Sequence, residues 1–296
     1  MIRKLTFIMI LAALGLSAGP ASALFDDTVI NPRARAMGEA SVSVTDGAFA
    51  AFTNAGQLAR IDGGSVATSY VQPFGLDFTD FFYIGASIPI HEKYGNLGVG
   101  MSHFKVDYQD VSLEKETQFT VAHGFNLYND IHSRVDFGYA VNLYSVEFAN
   151  SVSGLDPGSA NAVGFDLGMA VTVHRRTHVG FQIKNLNNPM IGLDQEELRQ
   201  RLVAGVSYEP YDGVTTSFEF NNQLGEDLQY RGGLEMTVVE GFALRAGVVT
   251  GPNKLTGGFG YTFENIGVNY GFSTGGGVLN STHHFGLQYA WGGEAK

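Results

Sequence analysis

Residues 163–174 read Val163-Gly164-Phe165-Asp166-Leu167-Gly168-Met169-Ala170-Val171-Thr172-Val173-His174. Val163, Phe165, Leu167, Met169, Val171 and Val173 share one parity. Gly164, Asp166, Gly168, Ala170, Thr172 and His174 share the other. A period of two is the mark of a β-strand, because successive side chains point to opposite faces. The second face decides what kind of sheet this is. A soluble sandwich turns a richly charged face to water, whereas here that face is mostly Gly, Ala and Thr. Large apolar groups on one side and small or polar groups on the other suit a strand whose outer face meets lipid and whose inner face meets a lumen.

The same pattern recurs along the chain. Residues 135–144 set Val135, Phe137, Tyr139, Val141 and Leu143 against Asp136, Gly138, Ala140, Asn142 and Tyr144. Residues 214–221 and 285–291 alternate in the same way. Fourteen such segments are read at 64–72, 79–90, 95–108, 115–126, 132–148, 161–174, 177–187, 198–209, 213–223, 227–238, 241–250, 254–264, 265–273 and 282–291. Most exceed the usual globular strand of ~5–6 residues and reach the ~9–11 that a tilted strand needs to cross a bilayer. Short connections such as Arg175–Arg176 and Val239–Glu240 alternate with generally longer ones such as Gln109–Glu114, Ala149–Ala160, Asn188–Glu197 and Thr274–Ser281. Outer-membrane barrels are connected in this way. An even strand number puts both termini on the short-turn side. The expected fold is therefore all-β, an antiparallel transmembrane β-barrel of about fourteen strands over residues 64–291, with outer-membrane lipid as its solvent.

Composition agrees. Charged residues are 16% of the chain, against ~25% in soluble domains, which weighs against the alternative of an exported soluble β protein. Lys plus Arg number 18 against 29 Asp plus Glu, a net charge of −11, so the basic footprint of a nucleic-acid binder is missing. There is no cysteine, which excludes disulfides, thiolate metal sites and cysteine nucleophiles. Tyr94, Tyr108, Tyr128, Tyr208, Tyr211 and Tyr261 lie near segment ends, where interfacial aromatics belong. Glycines inside strands, Gly138, Gly168 and Gly233 among them, would weaken an ordinary sheet. In a barrel they allow bending and the close approach of an internal segment.

Residues 1–23 are read as a secretory signal peptide cleaved after Ala23: Arg3 and Lys4, then the apolar run Leu5–Leu16, then Ala21-Ser22-Ala23. The run is too short for a membrane-spanning helix, which needs ~20 residues. The chain is thus expected to be exported to the bacterial outer membrane. Its other end carries His284-Phe285-Gly286-Leu287-Gln288-Tyr289-Ala290-Trp291. This resembles the assembly signal of bacterial outer-membrane barrels, with Gly286, Tyr289 and Trp291 in the signal positions. The resemblance implies recognition by the barrel-assembly machinery. Residues 292–296 form a tail beyond it.

Residues 24–63 do not alternate and are read as a partly helical N-terminal plug or hatch segment, with Asp46 placed to cap a short helix through Ala48, Phe49, Ala51 and Phe52. Through Arg33, Met37, Gly38 and Ala40, then Asp46 and Ala48, then Asn54, Ala55, Gly56, Leu58 and Ala59, the stretch resembles the N-terminal motif of the PorV/PorQ family. That family lies within the wider group of barrels like the FadL long-chain fatty-acid channel. This chain departs from the motif at Glu39, which replaces a glycine, at Gly47, which stands between Asp46 and Ala48, and in the last element, where the proline after Asn54 is missing and Gln57 is inserted. The resemblance implies that the segment folds inside the barrel; the alternative is a periplasmic tail outside it. Arg33, Arg35 and Arg60 are available to pair with lumen carboxylates.

Inward charges can be read from register. Antiparallel pairing keeps the sum of paired residue numbers constant. A turn pairing Val238 with Phe242 puts Glu235 opposite Arg245. A loop pairing Gln223 with Asp227 puts Glu219 opposite Arg231, and Val173 with Thr177 puts Asp166 opposite Lys184. These six are expected on the lumen face as wall-stabilising pairs or as grips on the plug. No catalytic, cofactor or metal motif stands out. His283 and His284 are adjacent in a strand and face opposite ways, and the glycine loops lack the ending of a phosphate loop. Two functions remain from the FadL and PorV/PorQ resemblances. One is passage of hydrophobic or small molecules across the outer membrane. The other is a non-conducting docking role in protein export or surface attachment, with type IX secretion proteins as partners.

Overall fold

The computed structural model describes residue 25 and residues 29–91, 93–109, 111–149, 158–192, 195–275 and 279–292. The expected leader with its cleavage after Ala23, and the tail past Gly292, lie outside the described residues. The strands are β1 (Gly64–Gln72), β2 (Thr79–His91), β3 (Gly95–Tyr108), β4 (Val111–Asn129), β5 (Ser133–Phe148), β6 (Ser159–Val173), β7 (Thr177–Lys184), β8 (Met190–Ile191), β9 (Glu196–Glu197), β10 (Arg201–Tyr211), β11 (Val214–Gln223), β12 (Gln229–Val239), β13 (Phe242–Val249), β14 (Lys254–Phe263), β15 (Ile266–Ser273) and β16 (Thr282–Trp291). Fourteen of them form one closed antiparallel barrel, each beside its neighbour in the chain. The first and last strands close it, from Gly64 opposite Trp291 to Gln72 opposite His283. The short strands β8 and β9 pair only with each other, as a hairpin within the connection from β7 to β10.

The faces sort as a lipid-facing barrel requires. On β6, Val163 and Phe165 are 43% and 46% exposed, while Asp166 and Ala170 between them on the other face are 4% and 0%. Large apolar side chains cover the outside of every barrel strand, and the six tyrosines expected near strand ends are all exposed there. A soluble protein would hide these groups. A bilayer is the solvent that favours them outside.

Several boundaries differ from the sequence reading. Strand β4 starts at Val111, so the expected loop Gln109–Glu114 shrinks to a tight turn with Tyr108 opposite Val111. Period two continues through Val111 and Leu113, both outward, beneath a run of charges that disguised it. Strand β7 ends at Lys184 because Asn185 takes a left-handed φ of 53°, and β10 begins only at Arg201. The turn after β12 pairs Val239, not Val238, with Phe242, and a bulge absorbs the difference, so Glu235 still lies opposite Arg245.

Residues 29–63 fill the lumen. They contain α1 (Pro32–Ala36), a one-turn 3-10 helix (Gly47–Phe49), α2 (Ala50–Thr53) and a second 3-10 helix (Ala55–Arg60). Asn31 caps α1, its side chain accepting from Arg33 N at 2.9 Å, with Pro32 at the first helical position, where its missing N–H costs nothing. Asn54 caps the second 3-10 helix by accepting from Gly56 N at 3.1 Å. Asp46 behaves differently from the expectation. It stands at the N-cap position, but its carboxylate makes no cap bond. It accepts instead from Asn31 Nδ2, and its backbone carbonyl takes Phe49 N. Phe49, Phe52 and Leu58 pack with Val71, Phe81 and Tyr83 of the wall in one buried cluster.

Candidate functional site

The plug is seated by backbone contact with glycines on the inner wall. A Cβ added at Gly138 would meet the backbone of Ala55 and Gly56, one at Gly180 the carbonyl of Val42, and one at Gly233 the backbone of Met37. Gly247 meets Gly38, and Gly271 meets the carbonyl of Pro32. These positions lie on β5, β7, β12, β13 and β15, so the sockets run around much of the barrel. The plug has its own tight points. Gly38, with φ 65°, lies against the Gly232 carbonyl of β12, and its N–H reaches Thr256 Oγ1 at 2.9 Å. Gly56 lies against Gly168 and Met169 of β6. Met37 and Ala40 are buried.

Polar bonds then fix the orientation. Arg33 grips Glu235 of β12 with both arms of its fork, at 2.8 and 2.7 Å, and reaches the Thr45 carbonyl at 3.1 Å. Burial works against the Arg33 charge, but Glu235 and Asp46 outweigh it and hold the guanidinium protonated beyond its ordinary range. The same Glu235 carboxylate takes Arg245 Nε at 2.5 Å, and Arg245 also donates to Asn269 at 2.8 Å. Arg35 reaches His284 Nδ1 and Ser273 Oγ, each at 3.2 Å. Asn54 Nδ2 donates to the Val42 carbonyl at 2.8 Å and to the Met169 carbonyl of β6 at 3.1 Å.

The six lumen charges take two kinds of partner. Glu235 bridges plug and wall. Glu219, opposite Arg231, accepts from Arg231 at 3.3 Å and from the backbone N–H groups of Ser41 and Val42 at 2.8 Å. Asp166 is buried and accepts from Asn185 N at 2.9 Å. The β6–β7 ladder ends at Leu167 opposite Ile183, a register that sets Asp166 level with Lys184.

Two anchors had only faint signals in the sequence. Glu39, which stands where the motif has glycine, takes a left-handed φ of 61°. Its carboxylate lies 3.2 Å from Lys254 and 3.8 Å from both Arg35 and Arg231. At the short-turn end, Asp136 is fully buried and takes Arg60 Nε at 2.8 Å, with Arg134 and Asn126 also on it. Burial lowers the Arg60 pKa, and Asp136 offsets this only in part. Gln57, the residue inserted into the motif, is buried and donates to the Val42 carbonyl at 2.5 Å.

Gly286 and the two terminal aromatics separate by face. Gly286 lies inward against the ring of Pro32. Tyr289 and Trp291 are exposed and stacked at 6.0 Å, with the indole over Gly64 of β1. His283 points outward and His284 is buried inward. Among the described residues, no group of three or more His, Asp or Glu is gathered as a metal site.

Above the plug, on the side of the longer loops, lies a chamber. An inner cavity of about 120 Å3 is bounded below by plug residues including Phe52 and laterally by Phe81, Phe104, Tyr144, Lys184 and Arg201. A second cavity of about 380 Å3 lies at the rim and includes Phe74, Asp227 and Lys254. The two share Glu39, Phe104, Glu116 and Gln223. The loop hairpin closes one side of the chamber region, with Ile191 and Leu198 buried against Tyr144 and Val146.

No protein-family model matches the chain, and no curated protein matches it. Solved structures match its shape. The CymD monoaromatic hydrocarbon channel aligns with a TM-score of 0.64 at 14% identity, over 88% of this chain and 97% of that one. The Ralstonia pickettii toluene transporter TbuX gives 0.61 at 11%, over 88% and 98%. A Pseudomonas aeruginosa FadL homologue gives 0.58 at 13%, over 88% and 98%. At these identities the likeness is one of fold: a FadL-like outer-membrane barrel architecture.

Proposed function

We propose that this protein is a bacterial outer-membrane channel for small or hydrophobic molecules, held shut by its N-terminal plug. One observation carries the reading. The lumen wall is shaped to a seated plug, with a chamber left above it on the long-loop side. A barrel that served only as a membrane anchor has no need of a cavity behind its mouth. The shared fold with hydrocarbon and toluene channels supports the same reading. Release or rearrangement of the plug would connect the chamber to the short-turn side. Deleting residues 31–61 should therefore give a larger bilayer conductance than the intact protein shows. Equal conductance in the two proteins would refute the channel reading.

A second reading is favoured by how firmly the plug is fastened. Glu235, Glu219, Asp136 and Asn96 all hold it from the wall, Asn96 Nδ2 donating to the carbonyls of Leu58 and Ile61 at 2.7 Å each. Together with the PorV/PorQ motif, this fits a non-conducting docking component of protein export. Co-purification with secretion-system proteins, and no solute passage in liposomes, would favour it over transport.

A further inference from the structure

We infer that the rim cavity is a binding site for a neutral, hydroxyl-rich solute, a sugar of one or two rings. The site rests on the channel reading and gives that channel a polar cargo in place of a hydrocarbon.

The lining excludes an apolar ligand first. Among the described residues, Pro73, Phe74 and Phe104 are the only apolar ones that line the cavity. Most small-molecule pockets have the reverse balance, apolar walls with a few polar groups. A hydrocarbon here would cover amides, hydroxyls and charges without bonding to them, and each such group costs free energy when water is removed and nothing replaces it. The charges do not call for an ion either. Glu39 lies 3.2 Å from Lys254, Glu226 takes Arg199 at 3.1 Å, and Glu116 accepts from Phe25 N at 2.9 Å. An ion of either sign entering among them would meet charges already engaged.

Two sectors of the wall supply the bonding a sugar uses. On β11 and β12, Asn221 lies directly opposite Gln229, and its Nδ2 donates to Gln229 Oε1 at 3.4 Å. Gln223 follows two residues on, on the same face of β11. A side-chain amide carries both donors and acceptors, and so matches a hydroxyl, which does the same. On β15 and β16, Ser273 Oγ accepts from Arg35 at 3.2 Å and Thr282 Oγ1 accepts from Phe74 N at 2.9 Å. Each of these hydroxyls accepts a bond and has its own proton to donate. Phe74 and Phe104 add ring faces, whose negative potential suits the C–H face of a sugar ring. The volume of about 380 Å3 falls at the small end of the ~300–1,000 Å3 range of ligand pockets. Gln118, Gln182 and Asn185 carry the same chemistry on into the inner cavity, so the polar lining runs the depth of the chamber.

The test uses the full mature protein, purified in a sugar-free detergent and also reconstituted in liposomes, with maltose, toluene and putrescine as probes. Saturation-transfer NMR should show maltose bound, and neither toluene nor putrescine should displace it. Asn221→Leu should weaken maltose binding about tenfold and Phe104→Leu about fivefold, with heat-modifiable gel migration verifying that each variant is folded. Absence of a maltose signal overturns the inference, and this measurement needs no variant. Displacement of maltose by toluene marks an apolar site and displacement by putrescine an acidic one, and either overturns it. Undiminished maltose binding in both folded variants also overturns it. Passage of glycerol into liposomes without maltose binding sinks the site and leaves the channel reading intact. Maltose binding in a protein that passes neither glycerol nor maltose supports the site and sinks the channel reading.

Discussion

Replacing Glu235 by Gln tests how the plug is held. The substitution keeps the shape of the side chain and removes its charge. Glu235 now receives two bonds from Arg33 and one from Arg245, all at 2.5–2.8 Å. In the variant, two guanidinium groups compete for one amide oxygen. Breaking a buried ion pair from one side costs about 3–5 kcal/mol, because the remaining charge is left without compensation. Arg33 and Glu235 keep 19% and 12% of their side-chain exposure, so the lower end, about 3 kcal/mol, applies. If the seated plug bears most of that loss, its release becomes roughly a hundredfold easier. Two readings are made on the same protein. Bilayer recordings should show more frequent or larger openings. Unfolding in lipid vesicles, followed by the fluorescence of Trp291, the one tryptophan in the chain, should shift to lower denaturant. In the double variant Arg33→Met/Glu235→Gln, the two effects should fall short of additive by about 2 kcal/mol, since each single change already breaks the shared contact. Glu235→Gln with unchanged conductance and an unchanged unfolding midpoint would refute the claim that this carboxylate fastens the plug.

Two other substitutions separate inner from outer requirements. Gly232 and Gly233 are neighbours on β12. A methyl group at Gly232 has its nearest neighbour at 3.8 Å, but one at Gly233 runs into the Met37 backbone. Gly232→Ala should leave conductance and folded yield near those of the parent, whereas Gly233→Ala should unseat the plug and raise conductance. Similar behaviour of the two would count against the socket model. Changing both Tyr289 and Trp291 to Ser should lower the amount of folded barrel in the outer membrane, read by heat-modifiable gel migration, and an unchanged yield would remove the terminal strand from its assigned role in assembly.

Faces and register were the most legible part of the sequence, because period two is a local property that survives any tertiary context. The opposition of Glu219 with Arg231 and of Glu235 with Arg245 could be counted from the turns alone, and a bulge near Val239 left the second pair unchanged. What alternation could not reveal was the partner across the lumen. Glu235 was readable as an inward charge, but its division between Arg245 and Arg33 depends on where a segment 202 residues earlier comes to rest. Glu39 gave a hint by replacing a glycine in the motif. The structure gives Glu39 a left-handed backbone, a conformation glycine adopts freely, and sets its carboxylate beside Lys254. The β8–β9 hairpin was invisible because two-residue strands carry no periodicity.

The order of segments along the chain also constrains how the molecule can be built. The plug precedes β1, yet α1 beds against β13 to β16 at the far end of the sequence, while the second 3-10 helix beds against β3 to β6. The seat of α1 therefore does not exist until nearly the whole wall has been synthesised, and the β1–β16 seam is the junction that seals it. Contacts of such sequence separation carry a large loop-closure cost and make for slow folding. The plug is in effect a ship assembled together with its bottle: its bonds reach strands from both ends of the wall sequence. Seating of α1 and closure of the seam therefore draw on the same late strands, so neither can be completed before the end of the chain has arrived.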